Sequence, residues 1–333
     1  MKFAADFLDY AINSRGYSRA TVAAYESAIA DLEKTLGIDD PAKLTVSDLD
    51  LYMTRKALAG TAASTRRVRG NALKSFFRYL HSRGKIPTDP GAMLKPPAAV
   101  RGVVPSFSEA EVEALIFHEL EPTVKRAQGE ALEFFRIRAE VERLCQLRDS
   151  ALLGLSYAVG LRSGEVAGLT LDSISYDSKG ACFVSLMGKA AKEPKRFFVD
   201  RRIGALLDAY LLARREAGIS SPALFCPVGK LRGDVARGIN SDRVAGILRK
   251  RIKDARISTK GRRITPHIWR YTRATHLYEA GLPLLEIRDF LRHANIETTL
   301  SYIRLGSLQS IQKKAAAKLP WNRPRGPATS LPT

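Results

Sequence analysis

The chain has 333 residues, enough for two domains with their own cores, and 45% of them are hydrophobic, which is typical of a globular protein. Its 54 Lys and Arg residues exceed its 34 Asp and Glu residues and give a formal net charge of +20. Such an excess indicates a polyanionic partner, either nucleic acid or an anionic membrane surface.

Two further features argue against a membrane protein or a secreted protein. No apolar run approaches the ~20 residues that a membrane span needs, and the segment from Met1 to Asp6 has no signal-peptide core. The three cysteines are scattered, so we expect neither a disulfide framework nor a zinc site. The composition therefore favours a cytoplasmic protein that holds no metal and acts on nucleic acid.

Residues 1–86 are predicted to form a wholly helical domain. Ser18 is a candidate N-cap for a helix that Gly37 ends. The helix near Ser64 to Ser82 combines an apolar stripe with a run of basic residues over the rest of its surface. A charge run is usually a solvated face, but with this net charge it predicts a helix that contacts phosphates.

Residues 87–105 are predicted to be a linker between two domains. They include five prolines and two glycines, which prevent a regular helix or strand. Ser108 and Glu111 then form a capping-box pattern that opens a second domain, predicted over residues 106–318. Its early part, residues 117–147, is predicted to be helical and locally acidic, and no chemistry is assigned to it.

A helix junction in the second domain carries a candidate anion ligand. An apolar helix is predicted to end at Gly160, and Arg162 follows it, with Glu165 in the next turn of helix. An arginine at a helix junction is more often a surface group than a ligand, so this position alone does not identify a site.

The pattern then changes from helices to strands. Alternation over residues 182–186 predicts one strand and Arg196 to Val199 a second, so that Lys189 and Lys192 lie in an exposed hairpin turn. A helix from Arg202 to Ala217 is predicted next. The second domain is therefore expected to be mixed α/β.

Residues 243–263 are strongly basic. They hold nine basic residues and a single acidic residue, Asp254. So uneven a run repels itself unless an anion is bound, which predicts a nucleic-acid contact. The candidates in this segment are Arg243, Arg249 and Lys250.

The densest group of candidate functional residues lies near the end of the chain. His267 and Arg270 are three residues apart, so they share one face of a predicted helix and can reach one ligand together. A second helix, Leu284 to Leu291, brings His293 to its C-terminal end. All three side chains can bind a phosphate, and Tyr302 follows nine residues after the last of them.

Thr298 and Thr299 are candidate caps for a third short helix that holds Tyr302. Any one of these polar residues, taken alone, would more often be a solvated or a core residue. The prediction of a site therefore depends on the whole set.

Five motifs carry the candidate residues in a fixed order along the chain. They are Arg162 in GLRSGEVAGL, Lys189 in LMGKAAK, HIWR at His267 to Arg270, LRH ending at His293, and Tyr302 in TTLSYI. Their order and spacing resemble the tyrosine recombinase or phage integrase family. The segment STRRVRGNALKSFFRYLHSRGKIPTDP resembles that family's core-binding helical domain and its exit. The resemblance covers nearly the whole chain, apart from the acidic helical segment and the Pro-rich tail.

The resemblance implies a mainly α fold. It consists of an N-terminal helical core-binding (SAM-like) domain and a C-terminal mixed α/β catalytic domain with a small β-hairpin sheet. Residues 319–333 are predicted to be a disordered tail.

The chemistry that the resemblance implies needs no metal, ATP or other cofactor. Cutting a phosphodiester in this way requires a nucleophile that forms a covalent ester, and the resemblance assigns that role to Tyr302. Its attack gives a 3′-phosphotyrosyl link and a free 5′-hydroxyl. Because the ester conserves the energy of the bond, the 5′-hydroxyl of another strand can reverse the step.

The remaining motif residues would act on the transition state. Arg162 and Arg270 present planar, permanently charged donors to the non-bridging oxygens of the pentacoordinate phosphate, and His293 adds a further hydrogen bond. Lys189 is the candidate general acid for the leaving 5′-oxygen, and His267 is the candidate base or orienting group near the nucleophile.

Three positions depart from the family pattern. Tyr271 stands where the family often has His, Arg273 stands where an aromatic residue is common, and Arg292 replaces the usual Gly before the last histidine. None of these changes removes a catalytic group, and Arg292 is predicted to be a further phosphate contact. Glu165 is expected to support Arg162 rather than to touch DNA.

The predicted DNA contacts are basic side chains outside the catalytic set. They are Arg66, Arg67, Arg69, Lys74, Lys192, Arg243, Arg249, Lys250 and Arg292.

The resemblance implies a site-specific recombinase that binds double-stranded DNA and exchanges strands through a Holliday junction within a tetramer. A predicted helix at residues 307–318 would join neighbouring protomers, and an accessory protein or a partner recombinase is a further candidate partner. Two alternatives stay open. A type IB topoisomerase acting as a monomer is disfavoured by the short first domain, and a catalytically idle DNA-binding regulator has no need for Lys189 and Tyr302 together.

Overall fold

The computed structural model describes residues 1–98, 106–117, 127–128, 130–187, 193–228, 238–260, 262 and 264–302, apart from the side chains of Pro266, Ser301 and Tyr302. The chain divides into two compact units, Met1–Gly102 and Val103–Thr333. No helix in the described part is both long and apolar enough to cross a membrane. The predicted domain and linker boundaries stay predictions.

The first unit consists of helices and short connections from Ala4 to Ser82, and its described part contains no strand. Its α-helices are α1 (Ala4–Asp9), α2 (Arg19–Leu36), α3 (Val46–Leu58) and α4 (Ala63–Ser82). At the start of α2 the Ser18 hydroxyl accepts a hydrogen bond of 3.2 Å from the N–H of Thr21, as predicted. Gly37 ends the same helix with φ at +71°, a value that glycine adopts without the steric cost other residues meet.

The core of the first unit forms where the apolar stripe of α4 meets the other three helices. Full burial of each large apolar side chain contributes about 1.5–3 kcal/mol, so this stripe accounts for the packing of α1, α2 and α3 around α4. Its buried members include Leu73, Phe76, Phe77 and Leu80 from α4, with Phe7, Leu32, Leu49 and Tyr52 from the other helices.

Part of the predicted linker packs on the first unit. Residues 87–98 contain neither helix nor strand, yet Leu94 is buried in the first core and its carbonyl accepts a hydrogen bond of 3.1 Å from Lys74 Nζ. Pro96 lies so close to α4 that a Cβ on Gly70 would stand 2.8 Å from its ring. This stretch is therefore held against the helices it follows.

The second unit combines helices with one small sheet. Its α-helices in the described part are α5 (Glu109–Phe117), α6 (Leu132–Val159), α7 (Ser163–Ala167), α8 (Arg201–Glu216), α9 (Ser241–Asp254), α10 (Pro266–Glu279), α11 (Leu284–Phe290) and α12 (Ile296–Tyr302). Its strands are β1 (Ile174–Tyr176), β2 (Cys182–Leu186) and β3 (Lys195–Phe198), antiparallel in the order β1-β2-β3.

The sheet confirms the predicted hairpin and adds a strand to it. In β2 the residues alternate in burial, as the period of two predicted, and Val184 at the centre pairs with Ile174 on one side and Phe197 on the other. Sequence patterning missed β1 because its three residues are too few to show an alternation.

The C-terminal half of α6 is buried at the centre of the second core. Trp269 of α10 donates a hydrogen bond of 2.9 Å from its indole nitrogen to the carbonyl of Leu153, and its ring packs on Tyr157 and Phe107. The first turns of α6 lie outside this core, where Leu132 and Phe134 are exposed.

The end of α6 is shaped by Gly160, as predicted. Its φ of +63° belongs to the left-handed region, and a Cβ at this position would lie 2.5 Å from Leu291 Cδ2. The absence of a side chain therefore lets the residues that follow α6 approach the residues that follow α11. This approach brings the side chain of Arg162 to the main-chain carbonyl of Arg292, 130 residues later in the sequence.

The last three helices follow the predicted order, with one correction. Proline occupies the first turn of α10, and Gly281 follows that helix with φ at +91°. The prediction that Thr298 and Thr299 cap α12 is wrong. The Asn295 side chain accepts the hydrogen bond from Glu297 N–H at 2.9 Å, which leaves Thr299 inside the helix and fully buried.

Candidate functional site

The carboxylate of Glu165 lies close to three arginines that the sequence singled out, Arg162, Arg270 and Arg292. Arg162 binds it twice, through its main-chain N–H at 2.8 Å and through Nη1 at 2.7 Å. Arg292 Nη2 lies 2.9 Å from the same carboxylate, and Arg270 Nη1 lies 3.9 Å from it. The predicted support of Arg162 by Glu165 is confirmed by these contacts.

These neighbours keep the carboxyl group of Glu165 in its ionised form. Burial by itself would raise the pKa of this carboxyl. The hydrogen bond from the main chain of Arg162, then the charge and hydrogen bond of Arg292, outweigh burial and lower the pKa below its ordinary value. Glu165 is therefore ionised at neutral pH and orients the guanidinium groups around it.

Arg270 is the most enclosed member of the group. It is 1% exposed, and its two terminal nitrogens donate hydrogen bonds to the carbonyls of Gly160 and Leu291. Its Nε donates to His293 Nε2 at 3.3 Å. The carbonyls at the ends of α6 and α11 therefore fix the plane of this guanidinium.

His293 is buried between Arg270 and α12. Its Nδ1 lies 2.8 Å from the hydroxyl of Thr299. Because Nε2 accepts from Arg270, the proton is assigned to Nδ1, which donates to Thr299. Burial, followed by the positive charges of Arg270, Arg162 and Arg292, lowers the pKa of His293 to about 3, so the ring is neutral at physiological pH.

His267 lies in the first turn of α10, the helix that also carries Arg270. His267 is exposed. Partial burial and then the charges of Arg270 and Arg162 lower the pKa of the imidazole below its ordinary value, so a neutral ring is favoured. A neutral imidazole can accept a proton, which is what a general base requires.

The proposed nucleophile and general acid are described only in part. Tyr302 is the last residue of α12, and the side chain of Tyr302 lies outside the described part of the structure. The same helix contacts His293 through the hydroxyl of Thr299. Lys189 and Lys192 also lie outside them. Their positions at the site therefore stay predictions.

Sequence reasoning missed Thr299 as a partner of the site. Its hydroxyl is fully buried and contacts His293, six residues earlier. A buried threonine that follows a candidate ligand by a turn and a half carries no local signal of this contact. Only the packing of α12 against α10 and α11 reveals it.

Several predicted DNA contacts of the first unit make internal hydrogen bonds. Arg69 Nη1 lies 2.9 Å from Asp31, which also accepts from Lys56 at 2.8 Å and from Tyr52. Arg66 Nε donates to a carbonyl in its own unit at 3.1 Å. Arg67 and Lys74 are half-buried, and Lys74 donates to the carbonyl of Leu94 as described above.

The basic candidates of α9 are more accessible. Arg243 and Arg249 are exposed. Lys250 is also exposed and pairs with Asp254 at 2.7 Å, one helical turn later. A surface pair of this kind contributes at most about 1 kcal/mol, so it does not prevent Lys250 from turning toward a phosphate.

Arg292 is placed differently from the expectation. It was predicted to contact a DNA phosphate, but its side chain is directed to Glu165 and to main-chain carbonyls and is 11% exposed. The reason is tertiary, because its partner Glu165 is 127 residues away in the sequence.

The arrangement is suited to binding an anion. The charges of Arg162, Arg270 and Arg292 outnumber the one carboxylate among them, Glu165, and the groups are held by main-chain contacts rather than by solvent. Among the described residues, no group of three or more His, Cys, Asp and Glu side chains is placed to hold a metal ion.

Two family models match the chain. The model of the phage integrase family matches residues 131–307, which is more than half of the chain. The model of the phage integrase N-terminal SAM-like domain matches residues 4–84.

Related proteins cover most of the same length. The tyrosine recombinase XerC of Corynebacterium efficiens is 27% identical over 308 residues, which span 92% of this chain and 88% of the relative. The tyrosine recombinase XerD of Bifidobacterium longum is 30% identical over 298 residues, which span 86% of this chain and 87% of the relative.

Solved structures share the fold at low sequence identity. A XerH site-specific recombinase bound to a palindromic difH substrate, in a post-cleavage complex, matches with a TM-score of 0.67 and 14% identity over 96% of this chain and 85% of that chain. A lambda integrase tetramer bound to a Holliday junction matches with a TM-score of 0.60 and 15% identity over 90% and 76%. The expected mainly α architecture is thereby confirmed.

Proposed function

Because the chain belongs to the phage integrase family, we propose that it acts on DNA as a site-specific recombinase that breaks and rejoins strands through a covalent protein–DNA intermediate. The observation that carries the proposal is the cluster of Arg162, Arg270 and His293 around Glu165 at the meeting point of α6, α10 and α11. Such preorganised donors stabilise charge that develops on a phosphate in the transition state.

Tyr302 is the proposed nucleophile. Its oxygen attacks the scissile phosphorus, the bond to the 5′-oxygen breaks, and the phosphate becomes a 3′-phosphotyrosyl ester. The position of Tyr302 at the end of α12 supports this role, since Thr299 of the same helix is bonded to His293. The leaving 5′-oxygen takes a proton, for which Lys189 is the proposed donor.

Arg162 and Arg270 are proposed to bind the non-bridging oxygens. Their planar guanidinium groups match a phosphate with two parallel donors, and the contacts with Glu165, Gly160 and Leu291 hold those planes before DNA arrives. Loss of one such donor typically slows the chemical step by about 10²–10³-fold. His293 is proposed to position Arg270, since its Nε2 accepts from that guanidinium and its Nδ1 proton is donated to Thr299. His267, with its neutral ring, is the proposed base or orienting group.

Strand exchange is proposed to take place in a tetramer on double-stranded DNA, as in the lambda integrase tetramer bound to a Holliday junction. The proposed link between protomers is the predicted helix 307–318. An open apolar groove of about 690 Å³ on the second unit is its proposed acceptor on a neighbouring protomer. A partner recombinase would take the place of some of these copies.

The groove and the predicted helix share an apolar character. Apolar side chains from α5 and β3 line the groove together with three carboxylates and three guanidinium groups; the lining includes Val112, Ile116, Phe117, Phe198, Glu109, Glu113, Asp200, Arg196, Arg202 and Arg273. The helix offers Leu308 and Ile311 with Lys313, Lys314 and Lys318. An amphipathic helix in an apolar groove is a common mode of recognition.

The test is covalent capture on a nicked substrate in the presence of EDTA. The DNA would be a duplex that the protein is first shown to bind, selected from the region flanking its gene and nicked beside the cleavage point so that the released strand diffuses away. Wild type, Tyr302→Phe and the matched control Tyr271→Phe would be compared for a protein–DNA adduct that resists SDS. We expect an adduct from wild type and from Tyr271→Phe, and none from Tyr302→Phe.

Other outcomes would contradict the proposal in different ways. An adduct with all three proteins would show that another residue is the nucleophile. No adduct with any of them, on DNA that they bind, would favour a catalytically idle DNA-binding regulator.

A further inference from the structure

We propose that Arg292 is a positioning residue for strand cleavage, one that holds Glu165 and thereby leaves Arg162 and Arg270 directed at the phosphate. The inference rests on the proposed function and goes beyond it, because the proposed function assigns no role to Arg292. It also replaces the expectation that Arg292 contacts DNA directly.

The main chain at this position is the first observation. Arg292 has φ at +58°, in the left-handed region that disfavours residues other than glycine. In this conformation its carbonyl accepts a hydrogen bond of 3.0 Å from Arg162 Nη2. The left-handed turn thus places the main-chain carbonyl of residue 292 against Arg162, and a glycine at this position could provide the same contact.

The side chain supplies what glycine cannot. One terminal nitrogen donates to Glu165 at 2.9 Å and to the carbonyl of Gly160 at 3.2 Å. The other donates to the carbonyls of Val159 and Phe290 at 3.3 and 3.1 Å. The guanidinium therefore joins the C-terminal end of α6, the carboxylate in α7 and the end of α11.

The charge of Arg292 has a direct consequence for the reaction. Glu165 is one negative charge near Arg162 and Arg270, and without Arg292 it would offset half of their combined charge. Arg292 balances that carboxylate, so the positive charge of the other two arginines is left for the phosphate. A phosphodiester carries one negative charge, and its pentacoordinate transition state spreads two over the non-bridging oxygens, so this balance favours the transition state.

Arg292 also contacts the sheet. Its guanidinium carbon lies 4.8 Å from the centre of the Phe197 ring, and Phe197 packs edge-on against Phe290 at 6.3 Å. Phe197 belongs to β3, the strand after the predicted turn that holds Lys189. The same side chain therefore braces both the arginine cluster and the strand that leads from the proposed general acid.

The test compares wild type with Arg292→Gly and Arg292→Lys on the nicked substrate. Glycine suits the left-handed φ and so keeps the turn, whereas lysine keeps one positive charge but not the fork of donors. We expect Arg292→Gly to slow adduct formation in a single turnover by about 10–100-fold, because a small misplacement of the reacting groups typically costs a factor of this size. We expect Arg292→Lys to slow it by less. The Kd for the bound site should change by less than about threefold, since no phosphate contact is lost.

A second substrate separates positioning from general damage. In a methylphosphonate one non-bridging oxygen is a neutral methyl group, so the transition state carries less charge for the arginines to stabilise. If Arg292 acts through Arg162 and Arg270, the penalty of Arg292→Gly should shrink to less than about threefold on at least one diastereomer. A merely structural defect would give the same penalty on both substrates and would overturn the proposal.

Two further results would also overturn it. Equal rates for wild type and Arg292→Gly on the phosphate substrate would show that the side chain has no part in cleavage. A loss of affinity that matches the loss of rate would identify Arg292 as a DNA contact. Failure of the proposed function is distinguishable from all of these, because wild type itself would then form no adduct on DNA that it binds.

Discussion

Replacing Glu165 with glutamine tests how the arginine cluster is held. The change keeps the shape of the side chain and removes its charge. In the structure the carboxylate accepts from two guanidinium groups, at 2.7 and 2.9 Å, and from one main-chain N–H at 2.8 Å. Glutamine has one acceptor oxygen, and its amide N–H₂ would face an arginine.

The expected cost follows from these contacts. Two hydrogen bonds to charged groups are lost or weakened, and each contributes about 1.5–3 kcal/mol. The side chains of Glu165 and Arg162 are 21% and 38% exposed, so solvent screens part of this contribution. We therefore expect Glu165→Gln to lower the free energy of unfolding by about 2–4 kcal/mol and the rate of adduct formation by about 100-fold.

The pH dependence has a definite sign. The pKa of Glu165 is lower in the folded chain than its ordinary value of about 4.3, so the carboxylate stabilises the fold above that value. This contribution is lost as the pH falls through the folded-state pKa. The stability difference between wild type and Glu165→Gln should thus be constant from about pH 6 to 8 and should diminish below about pH 4.

The assay is urea unfolding of the full chain, with Glu113→Gln as the matched control. Glu113 also pairs with an arginine, Arg202, at 3.0 Å, but both side chains are at least 60% exposed. Such a surface pair contributes about 0–1 kcal/mol. If Glu165→Gln costs no more than Glu113→Gln, or if its cost does not change in acid, the view that Glu165 organises the site is wrong.

Four other changes test separate parts of the site and the assembly. Gly160→Ala should abolish the adduct in the nicked-substrate assay and lower the unfolding midpoint, because its Cβ would meet Leu291 and its φ is +63°. Thr299→Val should slow adduct formation by about tenfold, since His293 loses the acceptor that orients it. Ending the chain after Gly306 should abolish the tetramer in analytical ultracentrifugation with junction DNA but preserve binding to a half-site in gel-shift titrations. Binding should also weaken with salt, and a slope of log K against log salt near −7, for roughly eight phosphates, is the expected result in a filter-binding titration; a slope near zero would contradict it.

The elements that the sequence predicted are those with local signals. The cap at Ser18 and the left-handed glycines at Gly37 and Gly160 act within one helical turn, so a pattern a few residues long contains them. The prediction failed at Thr298 and Thr299 because Asn295, three residues earlier, is an equally good cap and lies at the true start of α12. Where two capping residues compete, the packing of the helix decides between them.

Basic residues show a second limit of sequence patterns. The charge run on α4 predicts a phosphate contact for Arg69, which stays a prediction, and the run gives no sign that Arg69 pairs with Asp31, 38 residues earlier. Arg292 is the same case, with Glu165 as the partner. A count of charges cannot separate a guanidinium that faces solvent from one that faces a distant carboxylate, since the difference depends entirely on tertiary structure.

Arginine has a structural use in this fold and a proposed use in binding phosphate, and Arg270 connects the two. Three buried arginines donate to main-chain carbonyls and so connect segments of the chain. Arg148 and Arg251 bind carbonyls that are distant in sequence, and Arg214 binds a carbonyl in the segment that follows its own helix. Arg270 is anchored in the same way, by the carbonyls of Gly160 and Leu291. A guanidinium used for binding phosphate would lose entropy on ordering if it were a free surface side chain. Because Arg270 is held as a structural arginine is held, its entropy is lost during folding, and the proposed phosphate donor is oriented before DNA binds.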